Sequence, residues 1–275
     1  WDQAAARHVL HRRMAEQLAE LPPDPLGVIG VIDETSSAKK GDKTPGVQRQ
    51  YLGCAGKIDN GIVTVHVGVA KGRFQALLDA ELYLPAGGDE DRTRCRAAGI
   101  PDDVGYRPKW RIALDQLIRL DAGGVRLDWL VFDEGYGSKV PFLGVLSLVN
   151  QRFVGEVPVN FAVAAREGGA SQRADAVLTA HAARGGRRFR LARWTVRAAV
   201  WRATRQLVWV DGREYALVVA INESTAEVKY FVTNATPEPL SRVLAGAVRR
   251  APIGHTVRVA KSGARAAPYG GGQWG

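Results

Sequence analysis

Two short apolar segments of the sequence each end in a pair of acids. VIDET (31–35) carries Asp33 and Glu34, and VFDEGYG (131–137) carries Asp133 and Glu134. Such apolar runs predict buried strands, and ligands gather at the carboxyl ends of strands in an α/β sheet. Carboxylates delivered there suit Mg²⁺, which keeps several waters for substrate phosphates. Two such ions about 4 Å apart can activate a nucleophile and stabilise the leaving oxygen of a phosphodiester.

Only one acid of each pair can point at a given centre, because side chains alternate along a strand. We expect Asp33 and Asp133 to be the site residues, with Glu34 and Glu134 as the fallback. The competing interpretation is that these acids simply end strands and begin turns. Their occurrence as a matched pair in a basic protein favours a site.

The elements that must position these acids follow from hydrophobic periodicity. Residues 3–20 predict an amphipathic helix, closed by LPPDP. A buried strand (LGVIGVIDE) follows, then two strands joined through IDNG as an Asn-Gly hairpin, then the strand FQALLDAELYLP. Residues 86–99 read as a loop. The helix KWRIALDQLIRLDAG, the strand VRLDWLVFDEGYGS, the helix VPFLGVLSLVNQ and the strand RFVGEVPVNFAV complete this part.

The pattern of the sequence changes after about residue 165. Residues 187–233 predict a β-meander with a hairpin turn at Asp211-Gly212, and a helical region follows. The order of elements predicts an α/β fold, a mixed sheet flanked by helices and interrupted by a β-rich antiparallel insertion. We expect a helix and linker at 1–25, the first part of the main domain at 26–165, the insertion at 166–235 and a completing helical region at 236–275.

The net charge of +10 is compatible with a polyanionic partner such as nucleic acid. Between residues 176 and 210 there is no acid, and eight arginines are interleaved with Trp194, Trp201 and Trp209. Such a surface could neutralise phosphates and stack bases. Large aromatics among strands are more often core residues, so a core position is the expectation for each Trp.

Other features exclude several classes. There is no apolar run of about 18 residues and no signal peptide, so we expect a cytoplasmic protein. Cys54 and Cys95 stand in unrelated contexts, without zinc or disulfide patterns. His8 and His11 predict a solvated helix face rather than a metal pair. The chain begins at Trp1, and we expect its natural start and a separate DNA-binding segment to be missing.

Several segments together resemble the DDE transposases of bacterial insertion sequences, in the group with a β-rich insertion before the third acid. The segments are DETSSAKKG, GVQRQYLGCAGKIDN, ELYLP, AGIPDDVGYRPKW and VFDEGYG. The resemblance implies an RNase H-like domain whose three carboxylates bind two Mg²⁺ or Mn²⁺ ions and cut and join DNA at transposon ends. It assigns the first acid to Asp33 and the second to Asp133. It also implies a partner in DNA, a possible homodimer and no membrane, with the protein at the nucleoid through DNA.

The family places its third acid within Arg-x3-Glu-x6-Lys, and here Arg250 and Lys261 stand at that spacing with Gly254 between them. At about 100° per residue, these positions share one helix face. Pro252 and Gly254 weaken the helix, and no nearby acid replaces the missing one. The resemblance therefore implies a degenerate enzyme, impaired or inactive. The expected DNA contacts are Lys39, Lys40, Arg188, Arg190, Arg193, Trp194, Arg250 and Lys261, although Lys39 and Lys40 fit a solvated turn equally well.

Two further functions remain open at the level of sequence. One is a DNA-binding protein that keeps the fold and the basic insertion without chemistry. The other is a non-mobile RNase H-like nuclease, which would need a replacement acid that the sequence does not offer. Cleavage that depends on divalent ions separates an active transposase from a binding protein.

Overall fold

A computed structural model describes residues 2–191 and 199–249 of the chain. The helices in these ranges are α1 (Gln3–Glu20), α2 (Ala86–Glu90), α3 (Arg92–Ala97), α4 (Lys109–Ala122), α5 (Glu134–Gly137), α6 (Val140–Leu148), α7 (Ala174–Val177), α8 (Ala180–Arg184) and α9 (Leu240–Val248). The strands are β1 (Ile29–Ala38), β2 (Gln48–Leu52), β3 (Lys57–Lys71), β4 (Phe74–Leu82), β5 (Trp129–Phe132), β6 (Phe153–Val157), β7 (Ala162–Ala164), β8 (Ser171–Arg173), β9 (Arg187–Leu191), β10 (Ala199–Val210), β11 (Arg213–Asn222) and β12 (Val228–Thr233).

Over the described ranges, these strands form one mixed sheet. Its order is β2-β3-β1-β5-β6-β12-β11-β10-β7-β8, with β4 also on β3 and β9 also on β10. The central strands β1, β5 and β6 are mutually parallel, and β3 is antiparallel to β1. Helices α4 and α6 connect the parallel strands, as parallel connections require. The mixed α/β class predicted from the sequence is confirmed, and the arrangement is consistent with an RNase H-like fold.

Alternation along the central strands divides the core into two faces. On what we call the α4 face, Ile32, Leu130 and Phe132 pack with residues of α4 and α6, including Ile112 and Phe142. On the opposite side, the α9 face, the strand residues pack against Val243 and Leu244 of α9. These strand residues are Ile29, Val31, Trp129, Val131 and Val154. The strands are therefore buried on both sides, which explains their nearly continuous apolar sequences.

Buried ion pairs attach α1 and α4 to β4. The carboxylate of Asp79 is fully buried and lies 2.9 Å from Nε of Arg119 and 3.4 Å from Nε of Arg7. His11 is also buried, with its ring nitrogens 3.1 Å and 3.3 Å from the carbonyl oxygens of Leu78 and Arg119. The prediction of a solvated face is correct for His8 and wrong for His11, because α1 packs this side against β4 and α4.

The predicted hairpin at IDNG is wrong. The turn between β2 and β3 lies at residues 53–56, where Gly56 has a φ of +64°, and IDNG lies inside β3. Asn60 instead donates its side-chain amide to the carbonyl oxygens of Lys39 and Gly41, which ties down the loop after β1.

The predicted loop at residues 86–99 is also wrong, since it contains α2 and α3. The side chain of Asp91 caps α3, and Leu84, Cys95, Ala98 and Ile100 form a small apolar cluster beneath it. These helices have only five and six residues, too short to show a hydrophobic period.

The β-rich region after residue 165 extends the central sheet. The Asp211-Gly212 turn is confirmed, with φ of +49° and +71°, as a type I′ hairpin turn requires. Strand β12 then pairs antiparallel with β6, with Gly155 opposite Val232. Among the helices within the described ranges, none is long and apolar enough to span a membrane.

Candidate functional site

Asp33 and Asp133 occupy matching positions on neighbouring strands. Val31 of β1 lies opposite Val131 of β5 in the parallel register, and each aspartate follows two residues later. Asp133 keeps an extended backbone (φ −83°, ψ −177°), so the alternation continues through it. Both aspartates therefore project to the α9 face, beyond the last buried valine of each strand.

Local hydrogen bonds orient both aspartates. Oδ1 of Asp33 accepts the amide N–H of Glu34 at 2.9 Å, and Oδ1 of Asp133 accepts the amide N–H of Gly135 at 3.0 Å. The second bond caps α5, so the position of Asp133 depends on where α5 lies. Gly137, the last residue of α5, approaches β6 so closely that a Cβ there would lie 1.9 Å from the carbonyl oxygen of Glu156.

Glu34 projects to the opposite, α4 face. Its Oε2 accepts a hydrogen bond from Nζ of Lys109 at 2.6 Å, and the same ammonium lies 5.3 Å from the centre of the Tyr83 ring. The buried hydroxyl of Tyr136 has a pKa raised well above its ordinary value, chiefly by burial and then by the charges of Glu34 and Asp133. Glu134, the other fallback acid, is exposed on α5.

Asp33, Glu34 and Asp133 line an open cleft of about 730 Å³ beyond the parallel-paired parts of β1 and β5. Asp33 does not end its strand as expected from the sequence, because β1 continues to Ala38 through its pairing with β3. Lys109, which pairs with Glu34, and Lys139 also line the cleft. Tyr51, Tyr83, Tyr106 and Trp110 also line the cleft. Sequence reasoning missed these aromatic residues as site residues. All four stand within segments that carried the family resemblance (GVQRQYLGCAGKIDN, ELYLP and AGIPDDVGYRPKW), and Trp110 is the last residue of the third segment.

None of the predicted basic DNA contacts that the structure describes, Lys39, Lys40, Arg188 and Arg190, lines this cleft. Lys39 and Lys40 lie in the loop after β1 and are not among the residues that line it. Arg188 and Arg190 are exposed on β9, in the part of the sheet added beyond β6. Arg193, Trp194, Arg250, Lys261 and the Gly254 position lie outside the described residues.

Arg188 belongs to a clamp of three side chains. Glu223 accepts hydrogen bonds from Arg188 at 2.7 Å and from Arg202 at 2.7 Å, and Arg188 and Arg202 are cross-strand neighbours on β9 and β10. The bond from Arg188, together with that from Arg202, lowers the pKa of Glu223 below its ordinary value. Glu223, which directly follows β11, therefore neutralises part of the positive charge that Arg188 and Arg202 bring to β9 and β10. Trp201 on β10 is 3% exposed in the α9-face core, as expected for a core Trp.

The chemistry of the two aspartates fits a divalent cation. Both are carboxylates at the mouth of an open cleft, and hard cations such as Mg²⁺ take oxygen ligands and keep waters. Within residues 2–191 and 199–249, however, no group of three or more His, Cys, Asp or Glu side chains could hold a metal ion. Two protein carboxylates are therefore the candidate ligands that the described residues provide.

The order of the central strands, in a mixed sheet flanked by helices, is consistent with one class of protein, the RNase H-like α/β proteins. The family of DDE superfamily endonucleases matches residues 1–225, and the chain belongs to this family. The chain is also similar to a protein of Microchaete diplosiphon named "Probable transposase for insertion sequence element IS701". The two are 39% identical over 129 residues, which is 46% of this chain and 31% of that protein, so the chain matches about a third of its relative's length. Endonucleases of this family generally use divalent metal ions, and transposases act on DNA.

Proposed function

We propose that this chain is the catalytic region of a DDE transposase that nicks and joins DNA at transposon ends, with catalysis impaired by the loss of its third acid. The observation that carries the proposal is the position of Asp33 and Asp133. They follow Val31 and Val131, which are paired in the parallel register, and they line one cleft. The arrangement agrees with the family to which the chain belongs.

In this proposal Asp33 and Asp133 are the catalytic residues and hold the divalent ions, Mg²⁺ or Mn²⁺. When bound, two such ions lower the pKa of an attacking water and stabilise the leaving oxygen of the phosphodiester. Two carboxylates define that geometry poorly, and Gly254 stands where the third carboxylate is expected. We therefore infer weak ion binding and little cutting.

The same proposal assigns DNA contacts to basic residues in several segments of the chain. Lys39 and Lys40 lie in the loop after Asp33, and Arg188 and Arg190 lie on β9. Arg250 and Lys261 flank Gly254 at the family's spacing, and Arg193 and Trp194 lie in the arginine-rich stretch. Each lysine or arginine that neutralises a phosphate releases counterions and makes the affinity dependent on salt.

The proposed organisation keeps the boundaries expected from the sequence. Residues 1–25 form a helix and linker, 26–165 and 236–275 belong to the catalytic domain, and 166–235 form its insertion. Pairing of β12 with β6 gives the insertion a direct connection to the catalytic strands. A homodimer in the cytoplasm, associated with the nucleoid through DNA, is part of the same proposal.

The experiment is nicking of a supercoiled plasmid in Mg²⁺ or Mn²⁺. We expect little nicking by the chain as it stands, and a gain of activity in Gly254→Glu that is lost again when Asp33→Asn or Asp133→Asn is added. Asp121→Asn is the matched control, since this exposed acid lies on α4 away from the cleft. Robust cleavage by the unaltered chain that disappears in Asp33→Ala would refute the inferred impairment.

The alternative is a transposase-derived DNA-binding protein without chemistry, which the glycine at position 254 and the net charge of +10 favour. It predicts DNA binding in EDTA with no cleavage in any divalent ion, even in Gly254→Glu. Cleavage restored by that substitution would favour the degenerate enzyme instead.

A further inference from the structure

The cleft has an aromatic side that the metal chemistry does not use. Tyr51, at the end of β2, is 63% exposed, and Tyr106, in the loop before α4, is 43% exposed. Both line the same cleft as Asp33 and Asp133. We call Tyr51, Tyr83 and Tyr106 the tyrosine wall.

The structure holds two rings of the tyrosine wall in place. Tyr83 and Tyr106 meet edge to face, with ring centres 6.3 Å apart and planes at 69°. The ammonium of Lys109 lies 5.3 Å from the centre of the Tyr83 ring and also pairs with Glu34. Tyr106 packs against Tyr83, but its side chain stays partly exposed to solvent.

The backbone around Tyr106 is also braced. The amide N–H of Tyr106 donates to Oδ2 of Asp89 at 2.9 Å, and Oδ1 of Asp89 accepts from Arg92 at 2.6 Å. Arg92 donates further to the carbonyl oxygens of Val104 and Pro101. A ring on a braced loop loses little conformational entropy when a ligand packs on it, which favours binding.

A ligand that suits this wall is planar and carries negative charge. The rings offer flat faces, Lys139 offers positive charge beside the Lys109–Glu34 ion pair, and about 730 Å³ lies within the usual range for a small-ligand site. A nucleotide has both properties. The bases of a duplex are already stacked on each other, so only a base that has left the stack can place its face on a tyrosine.

We propose that the cleft receives an unpaired base of the DNA strand, stacked on Tyr106 with Tyr51 at the open side. The inference rests on the proposed function, because it makes this strand the one whose phosphodiester lies near Asp33 and Asp133. Stacking of a base on an aromatic side chain changes affinity by about 5-fold to 150-fold on truncation of the ring. The tyrosine wall thus selects DNA with unpaired bases over a fully paired duplex.

The test compares binding of two labelled DNAs by fluorescence anisotropy in EDTA, where no cutting occurs. One is a fully paired duplex, and the other has the same sequence with three unpaired nucleotides at its centre. We expect tighter binding of the second DNA, a loss of at least 5-fold of that preference in Tyr106→Leu and Tyr51→Leu, and its retention in Tyr106→Phe. The matched control is Leu148→Ala, a 67% exposed apolar residue of α6 that does not line the cleft.

The outcomes separate the inference from the function on which it rests. Equal binding of the two DNAs, or equal behaviour of Tyr106→Leu and Leu148→Ala, overturns the tyrosine wall and leaves the proposed function standing. Failure to bind either DNA overturns both. Circular dichroism checks that the leucine variants fold, and Tyr106→Phe supplies a variant that keeps the ring if Tyr106→Leu does not fold.

Discussion

Replacing Gly137 by alanine tests how the chain holds Asp133. The added Cβ would lie 1.9 Å from the carbonyl oxygen of Glu156 and 3.3 Å from Cγ1 of Val157. Ordinary contacts begin at 3.4 Å, so the first distance is short by about 1.5 Å. The obstacle is the backbone of β6, which is paired on both sides, by β5 and β12. It cannot give way as the end of a flexible side chain would, and α5 must move instead.

The expected cost follows from overpacking. Forcing an extra methyl group into a packed site typically destabilises a protein by about 1–3 kcal/mol. The backbone of Gly137 is not in the left-handed region, so a conformational penalty does not add to this cost. We expect Gly137→Ala to lower the free energy of unfolding by about 2–3 kcal/mol.

The measurement is urea denaturation of Gly137→Ala beside Gly144→Ala. Gly144 lies within α6, and the nearest atom to a Cβ there is Nη1 of Arg213, at 3.8 Å. Alanine at this helical position should stabilise the protein by about 0.5–1 kcal/mol. If Gly137→Ala proved as stable as Gly144→Ala, the close approach of α5 to β6 would be refuted.

Three further predictions concern other parts of the molecule. Glu223→Gln releases Arg188 and Arg202 from their shared carboxylate, and we expect tighter DNA binding and a salt dependence steeper by about one to two counterions. Tyr136→Phe should remove an alkaline loss of stability. Because the pKa of Tyr136 is raised in the folded protein, the unfolded chain releases this proton first, and the free energy of unfolding falls above about pH 10 by up to ~1.4 kcal/mol per pH unit. Gly212→Ala should cost about 1 kcal/mol in urea denaturation, because a Cβ is strained at a φ of +71°.

Two of these predictions have a control variant in the chain. Glu227→Gln changes an exposed acid beside Lys229, and its salt dependence should match that of the unaltered protein. Gly185→Ala lies at a φ of −80° and should be neutral. If the free energy of unfolding of Tyr136→Phe still falls above about pH 10 as steeply as that of the unaltered protein, other groups cause the loss of stability. If the salt dependence of DNA binding is unchanged in Glu223→Gln, the clamp of Glu223 on Arg188 and Arg202 is contradicted.

The sequence predicts those parts of the fold that local patterns determine. The buried strands β1 and β5 follow from apolar runs, α1 and α4 from helical periodicity, and the β10–β11 turn from Asp211-Gly212. That Asp33 and Asp133 line one cleft was expected, because ligands gather at the carboxyl ends of parallel strands, although β1 continues past Asp33 to Ala38. The register of β1 and β5 could not be predicted, since it depends on how β5 packs against β1 across about 100 residues of chain.

The failures lie where distant contacts override a local signal. Asn-Gly at residues 60–61 favours a turn, yet β3 runs straight through it because β1 and β2 pair with it on both sides there. His11 is buried by contacts with β4 and α4, and the sequence of its own helix does not predict these contacts. The tyrosine wall is assembled from β2, the end of β4 and the loop before α4, so spacing in the sequence gives no hint of it.

Pairing of β6 with β12 also sets an order of events during synthesis on the ribosome. Gly155 needs Val232 as its partner, and about 77 residues separate them in the chain. At a synthesis rate of about 5–20 residues per second, the backbone N–H and C=O groups of β6 that pair with β12 stay unpaired for roughly 4–15 s. An open strand edge invites pairing with another chain, and a charge in the strand discourages it. Glu156 supplies that charge in the nascent chain until Lys229 has been synthesised and pairs with it.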